Sequence, residues 1–476
     1  VGTDDGLVHR TDDEGKDWID VTPDGLEECL VNCLDISPHD PNTAFAAVTR
    51  YKFDELRPMA LKTVDNGKSW ASITHGIPDG YFVRVIRQDP VNEQVLYAGT
   101  EGGLYISMDQ GMHWSEFQLN LPKCPITDLT FRDNDLIVAT SGRAFWILDD
   151  LSSIQQSGGA LEPNKFAIFT PKSTTKFSSA TSASASLFSG QNPLPGVIFD
   201  YHLPGSWTKD MELQLEVIRE DGKVVRTLSS VAPKKAASWA GGPSKPSVLP
   251  AKPGLNRFHW DLRADPIPGV PNVYVLGSHN GPRVIPGRYT LRLSSSEELG
   301  APEIEALVVP DPRIEADEQD YEAQQKALDS IREMAAELHS EVNRFAQVKA
   351  QLSGKLKLLK NMEEHAELVE LAQTALGELK GWESKLIQRR QKTQQDVVNF
   401  PNRLNAQLLY LAGELDTNAP LPTQASLERL AELSKQWEEL RDQLDELIQG
   451  PITDFNSKYK SCGLPAVIIP EKSETP

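Results

Sequence analysis

The chain has 476 residues, of which 39% are hydrophobic and 24% charged, a balance typical of a soluble globular protein with about three domains. Its formal net charge of −20 would repel a nucleic-acid backbone, which argues against DNA or RNA as a partner. No run of about 18 apolar residues is present, so the sequence predicts no membrane-spanning helix.

Residues 1–155 contain one motif three times, Ser/Thr-x-Asp-x-Gly-x-x-Trp, at 11–18, 63–70 and 107–114. The tryptophans are 52 and 44 residues apart, a spacing typical of β-propeller blades, and the repeat predicts about three of them. Each motif is expected to form a tight turn. Its aspartate accepts hydrogen bonds from N–H groups of the turn, its glycine takes a positive φ, and its tryptophan covers the blade. A structural turn must recur in every blade whereas a catalytic group need not, so we expect structural roles for Asp13, Gly15, Trp18, Asp65, Gly67, Trp70, Asp109, Gly111 and Trp114.

The motif matches the Asp-box of bacterial neuraminidase repeats. The surrounding segments, Tyr81–Pro90, Tyr97–Tyr105 and Ala139–Asp150, resemble a bacterial branch of the sortilin-type propeller proteins, which often carry the label "glycosyl hydrolase, BNR repeat". The resemblance implies a propeller that binds a protein or peptide in an exported assembly. Asp17 departs from the usual Thr or Ser, so the first turn is expected to be looser.

The opening residues Val1–Val8 match the strand at Tyr97–Tyr105, so the chain is expected to begin inside a blade. We therefore expect the C-terminal part, or a processed fragment, of a longer protein. The missing N-terminal blades would come from the same precursor or from another chain. The expected location is secreted, periplasmic or at the cell surface.

Residues 156–194 are rich in serine and predict a linker without a core of its own. Residues 195–312 predict an immunoglobulin-like β-sandwich, because apolar residues alternate through 213–217 before the turn residues Asp221-Gly222. Strands 254–261 and 286–293 resemble a domain of flagellar hook-capping proteins, with Trp260 as the core aromatic. Trp239, in a Pro/Lys/Ser-rich loop, is either a partner anchor or a lid over its own domain.

Residues 313–461 show apolar side chains at helical spacing and predict an antiparallel helical bundle. The seams run through 328–352, 368–386, 404–411 and 427–447, with a break at Gly450-Pro451. A dimeric coiled coil is the alternative. Residues 462–476 form a tail. The predicted fold class is thus a multidomain β and α protein with a partial propeller, a sandwich and a bundle.

Motifs for zinc, nucleotides or a serine nucleophile are absent from the sequence, and no cofactor is expected. The turn Thr3-Asp4-Asp5-Gly6 is a candidate for Ca²⁺ but lacks the ligand ladder of an EF-hand loop. Cys29 and Cys33 are either free thiols or, if Cys29 lies in a loop, a disulfide pair.

A sialidase needs an arginine clamp, a tyrosine nucleophile and an acid. Arg84, Arg143 and Tyr51 are the candidates for those roles, although a solvated salt-bridge role is the favoured explanation for the arginines. The leading hypothesis is a non-catalytic binding or scaffold protein. The alternatives are a secreted exo-glycosidase acting on complex glycans and a purely structural subunit of a cell-envelope complex.

Overall fold

The computed structural model describes residues 1–158, 164–177, 193–233, 238–297, 299–360 and 365–463. The chain divides into two compact units. Unit 1 comprises Val1–Lys172, Phe199–Trp207 and Pro253–Asn256, and unit 2 comprises Ser173–Ile198, Thr208–Lys252 and Arg257–Pro476.

Unit 1 contains two four-stranded antiparallel sheets in which every strand pairs with its neighbour in sequence. A two-stranded sheet precedes them in the chain and a three-stranded sheet follows. Consecutive small up-and-down sheets of this kind are the blades of a β-propeller, as the repeat spacing predicted. The strands are β1 (His9–Arg10), β2 (Ile19–Asp20), β3 (Leu30–Ile36), β4 (Ala44–Thr49), β5 (Ala60–Thr63), β6 (Ala71–Ser72), β7 (Val83–Gln88), β8 (Leu96–Thr100), β9 (Gly103–Ser107), β10 (Ser115–Glu116), β11 (Ile126–Arg132), β12 (Asp135–Thr140) and β13 (Phe145–Leu148).

The blades pack face to face through the alternating apolar residues of their strands. Phe45, Ile86, Leu96 and Ala98 are fully buried in one such layer, and Tyr97 and Ile126 in the next. A short helix, α1 (Ser152–Gln156), follows the last blade strand.

A five-stranded sheet in the order β15-β21-β20-β17-β18 organises the β part of unit 2. Only the β15–β21 pair is parallel. Trp260 is 1% exposed and packs edge-on against Tyr289 with ring centroids 5.4 Å apart. A separate three-stranded sheet has the order β14-β16-β19, and its strand β14 belongs to unit 1. The strands are β14 (Ala167–Ile168), β15 (Thr174–Lys176), β16 (Val197–Leu203), β17 (Leu213–Arg219), β18 (Val224–Ser229), β19 (Gly254–Trp260), β20 (Gly287–Ser295) and β21 (Glu303–Pro310).

The helices of unit 2 begin at a capping box. The Asp317 side chain accepts the Asp320 N–H, and the Asp320 side chain accepts the Asp317 N–H. One apolar cluster joins all of these helices, and Leu338, Val342, Leu379, Leu408 and Leu440 are among its buried members. A turn of π-helix at Ile448–Ile452 accommodates Pro451, where the sequence predicted a break. The helices are α2 (Glu318–Leu359), α3 (Ala366–Leu386), α4 (Leu404–Leu415), α5 (Gln424–Leu447) and α6 (Thr453–Ser461).

The segment predicted as a linker, 156–194, supplies the two strands β14 and β15, because its apolar and β-branched residues find partners in β16 and β21. Most of its serines, at 178–192, and the tail residues 464–476 lie outside the described residues. All four cysteines are free thiols, which settles the alternative left open for Cys29 and Cys33. Leu427, placed in the last seam by its spacing, is 40% exposed.

Candidate functional site

Each copy of the repeated Ser/Thr-x-Asp-x-Gly-x-x-Trp motif, which we call a box, closes on itself through side-chain hydrogen bonds. In the second box, Thr63 Oγ1 donates to Asp65 Oδ1 at 2.9 Å and accepts the Gly67 N–H at 2.9 Å. Hydrogen bonds from the Ser69 side chain and backbone, and from Thr63, lower the pKa of Asp65 to about 2. Gly67 has φ +81°, as a turn of this shape requires. The first and third boxes repeat these contacts at Thr11, Asp13 and Gly15, and at Ser107, Asp109 and Gly111.

The box tryptophans connect one blade to the blade before it. Trp114 Nε1 donates to the Ile73 carbonyl at 2.6 Å, and Trp70 Nε1 donates to the Val21 carbonyl at 2.8 Å. In both cases the acceptor lies three residues after the tryptophan of the previous box. The exposed fraction is 4% for Trp114 and 48% for Trp18, and no hydrogen bond of the Trp18 indole occurs among the described residues.

The box glycines are needed for this packing as well as for the turn. A Cβ on Gly67 would lie 2.7 Å from Val21 Cβ, and one on Gly111 would lie 2.9 Å from Ile73 Cδ1. Val21 and Ile73 thus each contact the next blade twice: the carbonyl accepts the tryptophan N–H, and the side chain packs against the glycine. At Gly15 the nearest atom to such a Cβ belongs to its own Trp18, at 3.7 Å. The second and third boxes therefore connect their blade to the preceding one.

The register of the sheets places the boxes at one end of the blades and a different set of loops at the other. Leu30 pairs with Thr49, Val83 with Thr100 and Ile126 with Thr140. The first residues of β3, β7 and β11 therefore lie beside loops 50–59, 101–102 and 141–144. We call this end of the blades the loop rim. The boxes follow β5 and β9, at the opposite end.

The inner strands share an irregularity at the loop rim. The pairing slips by one residue between Val31 and Cys33, between Val83 and Val85, and between Ile126 and Asp128. The extra residues at these β-bulges are Asn32, Arg84 and Thr127. Bulges redirect side chains and are common at the rims of closed sheets and beside functional sites. A bulge repeated at one position in three blades makes this rim the candidate functional surface.

Aromatic rings and an ion pair form the best-defined part of the loop rim. Tyr51 stacks on Phe82 with ring centroids 5.4 Å apart and an interplanar angle of 16°. The Arg84 guanidinium carbon lies 4.9 Å from the Phe82 ring centroid. Two nitrogens of Arg84 contact Glu101 Oε2, at 2.6 and 2.8 Å. We call Tyr51, Phe53, Phe82, Arg84 and Glu101 the aromatic cluster. Tyr51 and Phe53 are 40% and 51% exposed.

A second set of charges on the inner strands involves Arg87. Its guanidinium lies 3.1 Å from Asp128, 3.6 Å from Asp35 and 2.7 Å from Cys33 Sγ. Burial raises the pKa of Asp35 and outweighs the opposing effects of the Gln88 N–H and of Arg87. Sequence reasoning did not single out Asp35, Phe82 or Glu101, because each sits in an ordinary strand or loop pattern.

The predicted sialidase residues are only partly brought together. Arg84 and Tyr51 both contact Phe82, as expected for neighbours. Arg143 lies in the β12–β13 turn, where its backbone N–H donates to Thr140 Oγ1 and its carbonyl accepts Trp146 Nε1. Arg84, Arg87 and Arg132 each face a carboxylate of their own. Among the described residues we find no three arginines converging on one point.

Trp239 packs on its own domain. Its indole Nε1 donates to the Val273 carbonyl at 2.8 Å. A Cβ on Gly242 would lie 2.3 Å, and one on Gly269 2.8 Å, from its ring atoms. This geometry matches the lid described as one of two alternatives for Trp239.

Metal and membrane sites were also sought in the part of the chain that the structure describes. It contains no group of three or more His, Cys, Asp or Glu side chains arranged to hold a metal ion, including at Thr3–Gly6. None of its helices combines the length and apolarity needed to cross a bilayer.

Comparisons with known proteins give fold-level similarity only. No protein-family profile and no curated protein matches the chain. Among solved structures it is similar to YCF48 bound to D1 peptide, with 19% identity over 31% of this chain and 46% of that one and a TM-score of 0.25. It is also similar to the GH74 enzyme of Niastella koreensis, with 20% identity, 36% and 29% coverage and a TM-score of 0.26. A third match is PorZ of the Porphyromonas gingivalis type-IX secretion system, with 12% identity, 59% and 30% coverage and a TM-score of 0.21. The chain spans less than half the length of each of these three structures, and the blade assignment rests on the sheets themselves.

Proposed function

We propose that this chain is a non-catalytic binding or scaffold protein of an exported assembly, with a sortilin-type, Asp-box propeller that holds a protein or peptide partner on its loop rim. An immunoglobulin-like sandwich and a helical bundle complete this architecture. The assembly is secreted, periplasmic or at the cell surface.

The aromatic cluster is the observation that carries the proposal. Tyr51 and Phe53 present large apolar areas to solvent, and Arg84 is fixed over Phe82 by Glu101. Aromatic and arginine side chains that are already ordered lose little entropy on binding, and they are enriched at the energetic centres of protein interfaces. Because the Arg84 and Glu101 charges neutralise each other, this rim suits contact with a protein better than proton transfer.

A peptide array tests the proposal. The full chain is labelled and applied to an array of random 12-residue peptides, and Kd is measured for the peptides that bind. Tyr51→Ala and Phe53→Ala should each weaken binding by tenfold or more, because they remove exposed anchors. Tyr410→Ala is the matched control, since Tyr410 is 58% exposed on α4 in unit 2. Binding that is absent, or equal in all three variants, would contradict the proposal.

The exposed faces of the outermost blades support a further partner, namely additional Asp-box blades from the same precursor or another chain. Trp18 is 48%, Phe145 77% and Ile147 59% exposed, whereas the box tryptophan Trp114, between blades, is buried. Hydroxyl-radical footprinting tests this. In protein isolated from its native source, Trp18 and Phe145 should be oxidised more slowly than in the recombinant chain. Equal oxidation rates in the two samples would contradict the proposal of additional blades.

Asp35 favours a second candidate function, a glycosidase acting on complex glycans. Its carboxyl has a raised pKa, and Asp128 lies on the other side of Arg87, so an acid and a carboxylate share one arginine. A panel of fluorogenic glycosides decides between the two functions. If the protein hydrolyses a glycoside, and both Asp35→Asn and Arg84→Ala abolish that activity, the glycosidase function is established and the non-catalytic binding function is refuted.

A further inference from the structure

Two buried histidines face each other in unit 2. His339 lies on α2 and is 0% exposed, and His279 is 5% exposed. Their ring centroids are 5.7 Å apart with an interplanar angle of 37°. We call residues 264–284, which carry His279, the latch segment. The two rings therefore meet where this segment packs on α2.

The hydrogen bonds of His339 define its protonation state. Its Nδ1 lies 2.6 Å from the Pro268 carbonyl oxygen. Because a carbonyl oxygen can only accept, Nδ1 carries the proton of the neutral ring and Nε2 carries a lone pair. That Nε2 is buried and has no hydrogen-bond partner. A second proton on this ring would therefore have no acceptor.

The latch segment is held on the helices by apolar contacts along most of its length, and at its end by the hydrogen bonds of Arg283 to Asp416 and Asn418. Ile267, Val270, Val273 and Val275 belong to the same buried cluster as Leu338 and Val342 of α2. Asn343 of α2 donates to the Gly269 carbonyl at 3.2 Å, and a Cβ on Gly277 would lie 3.2 Å from Leu409 Cβ on α4. Trp239 rests on the outside of the segment through its bond to Val273. Release of the segment would thus also release Trp239.

No carboxylate in the described part of unit 2 is positioned to neutralise a charged imidazole here. The acidic groups of the elements that pack around the pair are engaged elsewhere. Asp265 contacts Arg226, Asp416 contacts Arg263 and Arg283, Glu341 contacts Arg344, and Glu337 accepts Trp437 Nε1. An imidazolium at either histidine would therefore be buried without a counter-ion, which is costly.

The titration follows from this environment. Burial, and next the neighbouring His279, lower the pKa of His339 from 6.5 to about 4. Burial also lowers the pKa of His279, against the opposing effect of the Ile267 and Gly241 carbonyls. Both rings are neutral at pH 7. Below about pH 6.5 the histidines of a released, hydrated segment bind protons that those of the packed segment do not bind. Packing is therefore complete above that pH and weakens progressively towards pH 4.

We propose that the latch segment is an acid-sensitive latch, in which protonation of the His279–His339 pair detaches residues 264–284 and Trp239 from α2 while the remaining helices stay packed. The imidazole charges would arise at one local contact, whereas elsewhere a cluster of buried apolar side chains joins the helices. Mildly acidic conditions therefore expose a defined apolar segment of the protein.

Hydrogen exchange on the full chain tests the latch, with rates corrected for the chemical effect of pH. Between pH 7.5 and pH 5, protection of residues 264–284 should fall by roughly 30-fold, as the shift of His339 from 6.5 to about 4 implies. Protection of α3 should stay unchanged. Unchanged protection of residues 264–284, or an equal fall in α3, would refute the latch.

Paired asparagine variants identify the histidines as the cause. In His279→Asn/His339→Asn the amide nitrogen can replace Nδ1–H but cannot titrate, so the acid response should disappear. His365→Asn, at the start of α3, is the control and should respond like the parent. A double variant that still loses protection at pH 5 would overturn the proposal.

Exchange of the histidine C2 proton provides a readout that needs no variant. Followed by mass spectrometry on the unmodified chain, it should report a pKa below 5 for His339. A pKa of 6 or higher would overturn the latch even if the double variant fails to fold.

Discussion

Replacing the three box tryptophans by phenylalanine should destabilise unit 1 in proportion to the contact that each makes with the preceding blade. Trp114→Phe removes the bond to the buried Ile73 carbonyl, which costs about 1–3 kcal/mol. The smaller ring leaves a cavity of roughly 40 Å³, which at ~24 cal/mol per Å³ adds about 1 kcal/mol. The expected loss is therefore about 2–4 kcal/mol. Trp70 is half-buried, so Trp70→Phe should cost about 1–2 kcal/mol.

Trp18→Phe is the matched control within the same motif. Trp18 is 48% exposed and has no hydrogen bond among the described residues, so the change should stay within about 0.5 kcal/mol. Urea unfolding followed by hydrogen exchange of peptides from residues 1–155 measures the three values separately from unit 2. If Trp18→Phe costs as much as Trp114→Phe, the tryptophan stabilises its own turn, and the blade-to-blade role is wrong.

Two further predictions concern the helices and the turn of the second box. Leu338 and Leu440 are 0% and 3% exposed, so Leu338→Ala and Leu440→Ala should each lower the free energy of unfolding of unit 2 by about 2–5 kcal/mol. Leu427→Ala is the control and should not lower it. If all three variants melt at the same temperature, the seams lie outside the core. Because the pKa of Asp65 is depressed to about 2, its contribution to the stability of unit 1 is complete above about pH 4 and falls between pH 4 and 2. In Asp65→Asn the stability of unit 1 should therefore depend less on pH in that window. An unchanged pH dependence would refute the turn assignment.

The blade pattern could be predicted from sequence because its determinants are local. Alternation over 43–48 located the strand β4, which spans Ala44–Thr49. The box residues adopt their positive φ values within a single turn, so the motif alone specifies the geometry of Gly15, Gly67 and Gly111. The hydrogen-bond acceptor of Trp70 could not be predicted from the motif, because the acceptor carbonyl belongs to the previous blade and lies 49 residues away in sequence.

The loop rim could not be predicted because it depends on strand register. The bulge at Arg84 exists only relative to its partner strand, since Val83 and Val85 face Thr100 and Gly99. Arg84 was singled out for a catalytic clamp that the described residues do not form. Phe82, which links Tyr51 and Arg84, looked like an ordinary residue of an apolar strand. The Asp35 carboxyl gave no local signal, because the burial that raises its pKa comes from neighbouring blades.

Helical spacing identified the apolar seams of the helices, but it did not show which residues of a seam stay exposed or which residues outside it are buried. Leu427 has the spacing of its neighbours yet lies near the start of α5, where it is 40% exposed. His339 follows the seam residue Leu338 and, as a polar residue, would be assigned to the solvent side. It is fully buried because the latch segment, which is remote in sequence, covers that face of α2. A period of 3.6 residues describes one helix face and cannot reveal a second contact surface.

The strongest sequence signal in this chain therefore marks the end of the propeller less suited to binding. The second and third boxes each meet the same strand end of the preceding blade, so packing constrains their residues and length. The loops at the other end meet no such repeated contact. They differ in length, with ten residues at 50–59, two at 101–102 and four at 141–144. Only loops that are free to differ can form a surface specific for one ligand. The rim that carries Tyr51, Phe53 and Arg84 is thus the place where a partner should be sought.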